Sequence, residues 1–241
     1  MKKLVLLLLV SVSLLAITAD EIIKNVEHNL QSDSGYSKIT MSVTTSRGKR
    51  TMKMESWNRG NEMSFIKILY PKKDRGITFL KVNTTMWQYV PKIEKIIKIP
   101  SSMMMQSWMG SDFTNDDMAK ESSIVRDYNT LLSGEDEKMF ILTLIPKEEA
   151  AVVWGKIVMK VTKDHFVPLE AVYYDEDEIE QRILYYSDVK VVGSRYFPAV
   201  MTLIPSDKKN RKTVVTMDEV DFDVEIDDSR FTKSALKRYS R

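Results

Sequence analysis

Apolar side chains recur with two different periods along this chain, first helical and then alternating. Residues 20–32 place their apolar side chains on one face of a helix, which Asp20 can cap at its N-terminus. From Tyr36 onward apolar and polar side chains alternate, which is typical of strands that bury one face and expose the other. Glycine-containing turns at residues 47–49 and 59–61 separate the first strands, so an antiparallel meander of about six strands is predicted. The helix would bury Ile22, Ile23, Val26 and Leu30.

A second set of strands is predicted after residue 120, at the spacing expected of a sheet-rich domain. A short helix follows at Asp228–Tyr239, with Phe231 and Leu236 facing inward. About a dozen strands and a few short helices, without internal repeats or linkers, predict one α+β domain. The second set comprises Ser123–Tyr128, Met139–Ile145, Ile157–Thr162, Leu169–Tyr174, Ile179–Val192, Tyr196–Ile204 and Thr213–Asp223.

The alternation breaks between the two sets, in a methionine-rich stretch that we call the central segment (residues 101–119). Five large apolar side chains fall within seven residues there, too many for one face of a helix, so some must meet a second apolar surface. Methionine adapts to varied partners, so we expect a lid or ligand-contact role, with ordinary core packing as the alternative. Thr114, followed three residues later by Asp117, predicts the start of a further helix. The five side chains are Met103, Met104, Met105, Trp108 and Met109.

The first 19 residues are predicted to be a secretory signal peptide rather than part of the fold. Lys2 and Lys3 precede an apolar run over residues 4–15, and small residues offer a cleavage point after Ala19. The run is too short for a stable membrane span, although an uncleaved N-terminal anchor is the alternative. Cleavage leaves residues 20–241 as the single predicted domain.

Composition removes several classes of function. The chain has no cysteine, so disulfides and thiolate metal sites are excluded. Without the two leader lysines it carries 34 basic and 34 acidic residues, which gives no electrostatic reason to expect a nucleic-acid partner. It has only eight glycines, and none lies in a phosphate-binding loop motif, so nucleotide binding is not expected.

The sequence contains no recognisable arrangement of catalytic or metal-binding groups. The two histidines, His28 and His165, are interpreted as a polar helix residue and a turn residue. Residues 110–112 are interpreted as a backbone turn rather than a nucleophile turn. Asp112, Asp116 and Asp117 lack the spacing of a calcium-binding loop. We therefore expect neither an enzyme nor a cofactor or metal.

Lysines alternate with isoleucines just before the central segment. Lys92, Lys95 and Lys98 are interpreted as residues that keep an exposed edge strand soluble. Contact with anionic lipid headgroups at a membrane surface is the alternative function for them.

Two motifs carry a resemblance to a known family. They are W-Q-Y-V-P-K-I-x-K-I-I-K-I-P, starting at Trp87, and M-G-S-D-F-T-N-D-D-M, ending at Met118. With the order of helix, meander, interruption and second strand set, the chain resembles the outer-membrane lipoprotein-sorting family, the LolA-like proteins of the LolA-LolB superfamily. It is most similar to the longer branch associated with RND/MMPL-type exporters. The resemblance implies a strongly curved antiparallel sheet, an unclosed half β-barrel of about 11–12 strands, with helices covering its concave apolar face.

The resemblance also implies a function and a location. A periplasmic carrier or chaperone of this kind, here expected to be a monomer, binds acyl chains of lipoproteins or lipids and moves them towards the outer membrane. An inner-membrane transporter of RND/MMPL or ABC type would be the donor, and an outer-membrane protein the acceptor. The alternative is a non-catalytic binding module of an RND-type export complex that docks a protein partner. A secreted hydrolase is disfavoured because no nucleophile and base are arranged for it. The candidate acyl-contacting residues are Met41, Val43, Met52, Met54, Phe65, Phe79, Trp87, Met103, Met104, Met105, Trp108, Met109 and Phe113.

Overall fold

The computed structural model describes residues 17–119 and 124–241, so most of the predicted signal peptide lies outside the described residues. Thirteen antiparallel strands form one sheet. The first set is β1 (Ser34–Thr45), β2 (Gly48–Arg59), β3 (Met63–Tyr70), β4 (Thr78–Val82), β5 (Thr85–Val90) and β6 (Lys95–Lys98). The second set is β7 (Tyr128–Glu135), β8 (Met139–Pro146), β9 (Lys156–Thr162), β10 (Pro168–Tyr174), β11 (Glu180–Val192), β12 (Arg195–Pro205) and β13 (Lys212–Phe222). The helices are α1 (Ala19–Leu30), α2 (Asn115–Ala119), α3 (Ile124–Asp127) and α4 (Lys233–Arg238).

The two strand sets join through the first and last strands of the sheet. The strand order is β6-β5-β4-β3-β2-β1-β13-β12-β11-β10-β9-β8-β7, so β1 pairs with β2 on one side and β13 on the other. Met41 on β1 lies between Met52 on β2 and Val215 on β13. The sheet does not close, and β6 and β7 are its two edges. The prediction of an unclosed, curved antiparallel sheet with helices is confirmed, with thirteen strands in place of about a dozen.

Helix α1 begins with a capping box rather than with the predicted cap. Thr18 accepts a hydrogen bond from the Glu21 backbone N–H, and the Glu21 carboxylate accepts from the Thr18 backbone in return. Asp20 instead lies in the first turn, where its charge complements the helix dipole. The apolar side of α1 that the helical period predicted packs on the second strand set, with Leu30 only partly buried. Its buried apolar side chains are Ile22, Ile23 and Val26.

One face of the sheet, which we call the inner face, is apolar across both strand sets. Residues that pair across strands share a face, so the register links Leu142, Met159, Ala171 and Leu184 into one row under α1. A neighbouring row on the same face runs from Tyr186 through Met201 and Val215 to Met41 and Met52, and so leads into a methionine-rich cluster on the first strand set. That cluster contains Met41, Met52, Met54, Ile66, Ile68, Phe79, Met86, Trp108, Ala119 and Val215.

The opposite face, the outer face, is covered by the C-terminal helix. Phe231 and Leu236 are buried there, as predicted, against Phe65 and Leu80. The Thr78 hydroxyl donates to the carbonyl of Leu236 over 2.7 Å, which ties α4 to the sheet. Strands β3 and β4 are therefore buried on both faces.

One predicted strand was wrong. Within the range Ser123–Tyr128, residues Ile124–Asp127 form the short helix α3, and residue 123 lies outside the described residues. The strand β7 begins only at Tyr128, and its pairing with β8 shifts register between Leu132 and Gly134. A bulged edge strand with exposed leucines lacks strict alternation, so the period-two pattern did not reveal it.

Candidate functional site

A cavity of about 430 Å³ lies between the inner face, the end of α1 and the central segment. Its walls are largely apolar and come from both strand sets. The apolar side chains on the sheet include Ile39, Met41, Met54, Ile66, Leu184, Met201, Val215 and Met217.

The central segment closes one side of this cavity with two aromatic rings. Trp108 is only 2% exposed and packs against Phe79, with ring centroids 5.2 Å apart. Phe113 lies beside it and also lines the cavity. The Trp108 backbone N–H donates to the Phe113 carbonyl over 2.8 Å, and the buried Ser111 hydroxyl donates to the Trp108 carbonyl. This compact loop holds both rings in place.

Two arginines fasten the same loop to the sheet. Arg50 on β2 donates to the carbonyl of Met109, and Arg211, just before β13, donates to the buried Asp112 carboxylate. The Thr213 hydroxyl also donates to Asp112, over 2.7 Å, and accepts from its backbone N–H. Gly110 has a φ of +71°, and a Cβ there would lie 3.1 Å from the Arg50 side chain, so glycine suits both the turn and the close arginine.

The predicted capping box of the next helix is present. The Asp117 backbone N–H donates to the Thr114 hydroxyl over 3.0 Å, and the Asp117 carboxylate accepts from the Thr114 N–H over 2.8 Å. The same carboxylate forms a two-hydrogen-bond ion pair with Arg182 on β11, at 2.7 and 2.8 Å. Burial of Asp117 opposes its ionisation, but Arg182 outweighs this effect and lowers the pKa of the carboxyl.

Arg182 and several tyrosines form one polar end of the largely apolar cavity. The Arg182 guanidinium lies over the rings of Trp154 and Tyr173, at 4.2 and 4.6 Å from their centroids. Burial raises the pKa of Tyr128, Tyr173 and Tyr186, so these phenols stay neutral. All of these side chains line the cavity.

The structure places the sequence-derived candidate residues in four environments. Met41, Met54, Trp108 and Phe113 line the cavity. Met52, Phe79, Met104 and Met109 pack in or against the methionine-rich cluster beside it, and Val43 is buried on β1. Met103 and Met105 are exposed at the surface. Phe65 and Trp87 belong to the cluster under α4 on the outer face.

The polar end of the cavity was missed from the sequence. Arg182 is followed at alternate positions by Leu184 and Tyr186, so a charged side chain occupies an inward position of β11. An inward-pointing arginine within an alternating strand was the available signal.

Two negative findings apply to the described part of the chain. No group of three His, Asp or Glu side chains there could hold a metal ion. None of its helices is long and apolar enough to cross a membrane.

Comparisons with known proteins agree on the fold. A family model described as "Uncharacterized protein" matches residues 60–238. No curated protein matches the sequence significantly. A DUF1329 family protein from Desulfovibrio piger has a TM-score of 0.81 at 23% identity, covering 90% of this chain and 97% of that one. A putative outer membrane lipoprotein-sorting protein domain from Vibrio parahaemolyticus has a TM-score of 0.77 at 20% identity, covering 91% and 98%.

A LolA superfamily protein from Nitrosomonas europaea has a TM-score of 0.76 at 19% identity, covering 91% of this chain and 100% of its own. At these identities the likeness shows a shared fold. The family model covers well over half of the chain. The chain therefore belongs to the family of that uncharacterized-protein model, and its fold is the LolA-like fold of the lipoprotein-sorting proteins.

Proposed function

We propose that this protein is a non-catalytic periplasmic carrier that holds the acyl chains of lipids or lipoproteins and moves them towards the outer membrane. The observation that supports it most directly is the apolar cavity between the inner face and the central segment. Its volume of about 430 Å³ falls in the range of roughly 300–1,000 Å³ typical of ligand pockets. The similarity in fold to lipoprotein-sorting domains adds support.

The physical basis of this function is the transfer of apolar surface out of water. Each buried methylene contributes about 0.8 kcal/mol, so one acyl chain gains on the order of 10 kcal/mol before ordering costs. Methionines on the cavity wall suit chains of differing length, because their unbranched side chains repack easily. Met41, Met54 and Met118 supply such surface from the first strand set and from α2.

In this proposal, protein partners determine the direction of transport. A donor in the inner membrane, of RND/MMPL or ABC type, would load the cavity, and an acceptor at the outer membrane would empty it. The two arginine attachments of the central segment offer a place where such partners could release the loop that carries Trp108.

A second candidate function is that of a protein-docking module in an RND-type export complex. It is favoured by the exposed strand β6 at one edge of the sheet, where Ile96 and Ile97 are 43% and 40% exposed. Ile93, just before this strand, is also exposed. An edge of this kind can accept a strand from a partner.

Native mass spectrometry of the protein purified from the periplasm without detergent tests the carrier proposal. Extra mass that organic solvent releases as phospholipid or acylated peptide supports it and names the cargo class. A clean apo mass, together with no uptake of a fluorescent fatty acid, rejects the carrier and leaves the docking module.

A further inference from the structure

One edge of the sheet combines exposed isoleucines with lysines. Every residue from 92 to 98 is exposed, a run that begins in the short 3₁₀ helix Pro91–Ile93 and ends with the edge strand β6. We call residues 92–98 the basic edge. Its three isoleucines, Ile93, Ile96 and Ile97, are between 40% and 55% exposed. Protection of an edge strand accounts for the lysines but not for three isoleucines in water, where apolar surface is unfavourable.

A neighbouring loop adds positive charge to the basic edge. Residues 71–76 pack beside it, because a Cβ at Gly76 would lie 3.3 Å from Cγ of Pro91. The loop and the basic edge each carry three cations and one acid, which gives six cations against two acids. All six are exposed, and none forms an ion pair with a described residue. They are Lys72, Lys73, Arg75, Lys92, Lys95 and Lys98.

The opposite edge of the sheet lacks this combination. Strand β7 also exposes apolar side chains, with Leu131 and Leu132 at 57% and 40%. It contains no basic residue, ends at Glu135 and is followed by Asp136 and Glu137. Exposed apolar side chains therefore occur at both edges, whereas the excess of cations belongs to the basic edge.

We infer that the basic edge docks on the surface of a membrane that contains anionic lipids, with its lysines at the phosphates and its isoleucines between the headgroups. Cations next to exposed apolar side chains are the combination by which peripheral surfaces bind such membranes. A contact at headgroup depth leaves the open backbone edge of β6 hydrated, as its polar groups require. The inference goes beyond the proposed carrier function, because it does not depend on an acyl chain in the cavity.

A protein strand fits this edge less well than a lipid surface does. Strand β6 has only four residues, and in an antiparallel edge about every second residue points its backbone groups outward. Strand addition would therefore gain few hydrogen bonds. An extended anionic surface, in contrast, meets the cations of the loop and of the basic edge at the same time.

Docking at the basic edge also brings the central segment towards the membrane. Strand β6 leads through Pro100 directly into this segment, where Met103 and Met105 are exposed. Trp108, at the cavity wall, lies a few residues further along the same segment. The membrane contact and the cavity are therefore joined by a short length of chain.

Vesicle flotation with the mature protein tests the inference. The vesicles contain phosphatidylcholine alone, or phosphatidylcholine and phosphatidylglycerol at a ratio of about three to one. Protein bound to vesicles floats with them, whereas protein that has only taken one lipid into its cavity does not. We expect binding to the anionic vesicles that weakens when salt is raised from about 0.05 M to about 0.3 M. Binding to phosphatidylcholine alone should be at least about tenfold weaker.

Two sets of substitutions separate the contribution of charge from that of apolar contact. Lys92→Gln, Lys95→Gln and Lys98→Gln together should weaken binding about a hundredfold, since each lysine near an anionic surface contributes about fivefold. Ile96→Ser with Ile97→Ser should weaken binding about tenfold or more. All five side chains are exposed, so both variants should fold, which circular dichroism checks.

Each set has a matched control away from the basic edge. Lys24→Gln, Lys138→Gln and Lys190→Gln together remove the same charge from exposed sites on α1, after β7 and on β11. They should weaken binding less than about threefold, because salt screens charges that lie far from the membrane. Leu131→Ser with Leu132→Ser removes apolar surface from the opposite edge and should leave binding unchanged.

The outcomes also separate this inference from the carrier proposal. No binding to anionic vesicles, or equal losses in the variants and their controls, overturns the membrane contact. Self-association that Ile96→Ser with Ile97→Ser abolishes, without vesicle binding, overturns it in favour of a second copy of the chain. Uptake of a fluorescent fatty acid in the absence of vesicles reports on the cavity alone, so either proposal can fail while the other stands.

Discussion

Arg182 on β11 and Asp117 on α2 form a buried ion pair that joins the second strand set to the central segment. Two parallel hydrogen bonds of 2.7 and 2.8 Å fix both side chains. Because Asp117 also caps its own helix, one carboxylate stabilises both the first turn of α2 and the contact of α2 with the sheet.

Removal of this carboxylate should destabilise the protein strongly. Asp117→Ala leaves the Arg182 charge buried without a partner, which costs about 3–5 kcal/mol. Urea denaturation measures this loss. The half-exposed pair of Lys160 and Glu170 is the control, because Lys160→Ala should cost only about 0–1 kcal/mol. Equal losses in the two variants would contradict the role given to the buried pair.

The same pair predicts a response to acid. The pKa of Asp117 is lowered in the folded protein, since Arg182 outweighs the opposing effect of burial. A carboxyl group with a lowered folded pKa adds stability above its unfolded value of about 3.9, and that stability is lost as the pH falls through the folded pKa. Melting temperatures of the wild type should therefore fall more steeply below about pH 4 than those of Asp117→Asn. Parallel curves for the two proteins would show that Asp117 contributes nothing to acid unfolding.

The hydrogen bonds from Arg50 and Arg211 to the central segment predict that removing one of them loosens this segment locally and leaves the rest of the fold intact. Arg211→Ala removes the cation that contacts Asp112, a charge-assisted hydrogen bond of about 1.5–3 kcal/mol. Hydrogen–deuterium exchange should speed up at residues 107–114 while the strands of the inner face stay protected. Arg47→Ala, in the exposed turn between β1 and β2, is the control and should leave this exchange unchanged. Unaltered protection in Arg211→Ala would show that the loop is held without this contact.

Strands that bury only one face could be predicted from the sequence. The residues of the site could not, where a strand is buried on both faces. On strands such as β8 and β9, buried side chains alternate with side chains that are partly or fully exposed, so their period revealed them. On β3, adjacent Phe65 and Ile66 are both buried, because α4 covers one face and the cavity lies at the other. Their apolar character could not show which of them faces a ligand.

The local hydrogen bonds of the central segment could be predicted from the sequence, but the exposure of its individual side chains could not. The Thr114 capping box follows from residue spacing alone. Crowding predicted that some of the five apolar side chains meet a second apolar surface, but Met105 is 56% exposed while Trp108 is buried. Which methionine turns inward depends on turns and on contacts with Arg50 and Arg211, which are distant in sequence.

Asn29 is a further residue whose role depends on distant parts of the chain. It lies on the buried side of α1, where its amide donates to the His165 carbonyl over 2.8 Å and its oxygen accepts from the Tyr196 N–H over 3.0 Å. Asn29→Ala leaves these backbone groups unpaired and should cost about 1–3 kcal/mol in chemical denaturation. Asn25→Ala, on the exposed side of the same helix, should change stability by less than about 0.5 kcal/mol. Similar losses for both would assign the effect to the helix rather than to its docking.

Filling the cavity should separate ligand binding from folding. Met217 lies on β13 at the cavity wall and is only partly buried, so Met217→Trp places an indole in space that a ligand would occupy. We expect at least about a tenfold loss of affinity for monopalmitoylglycerol, with a stability cost of about 1–3 kcal/mol. Displacement of the fluorescent dye N-phenyl-1-naphthylamine measures the affinity, and urea denaturation measures the stability. Val191→Trp adds the same ring at a side chain that is 68% exposed, and should bind as the wild type does. If Met217→Trp folds and binds with unchanged affinity, acyl chains do not enter this cavity, and the carrier proposal would have to be abandoned for the docking function at β6.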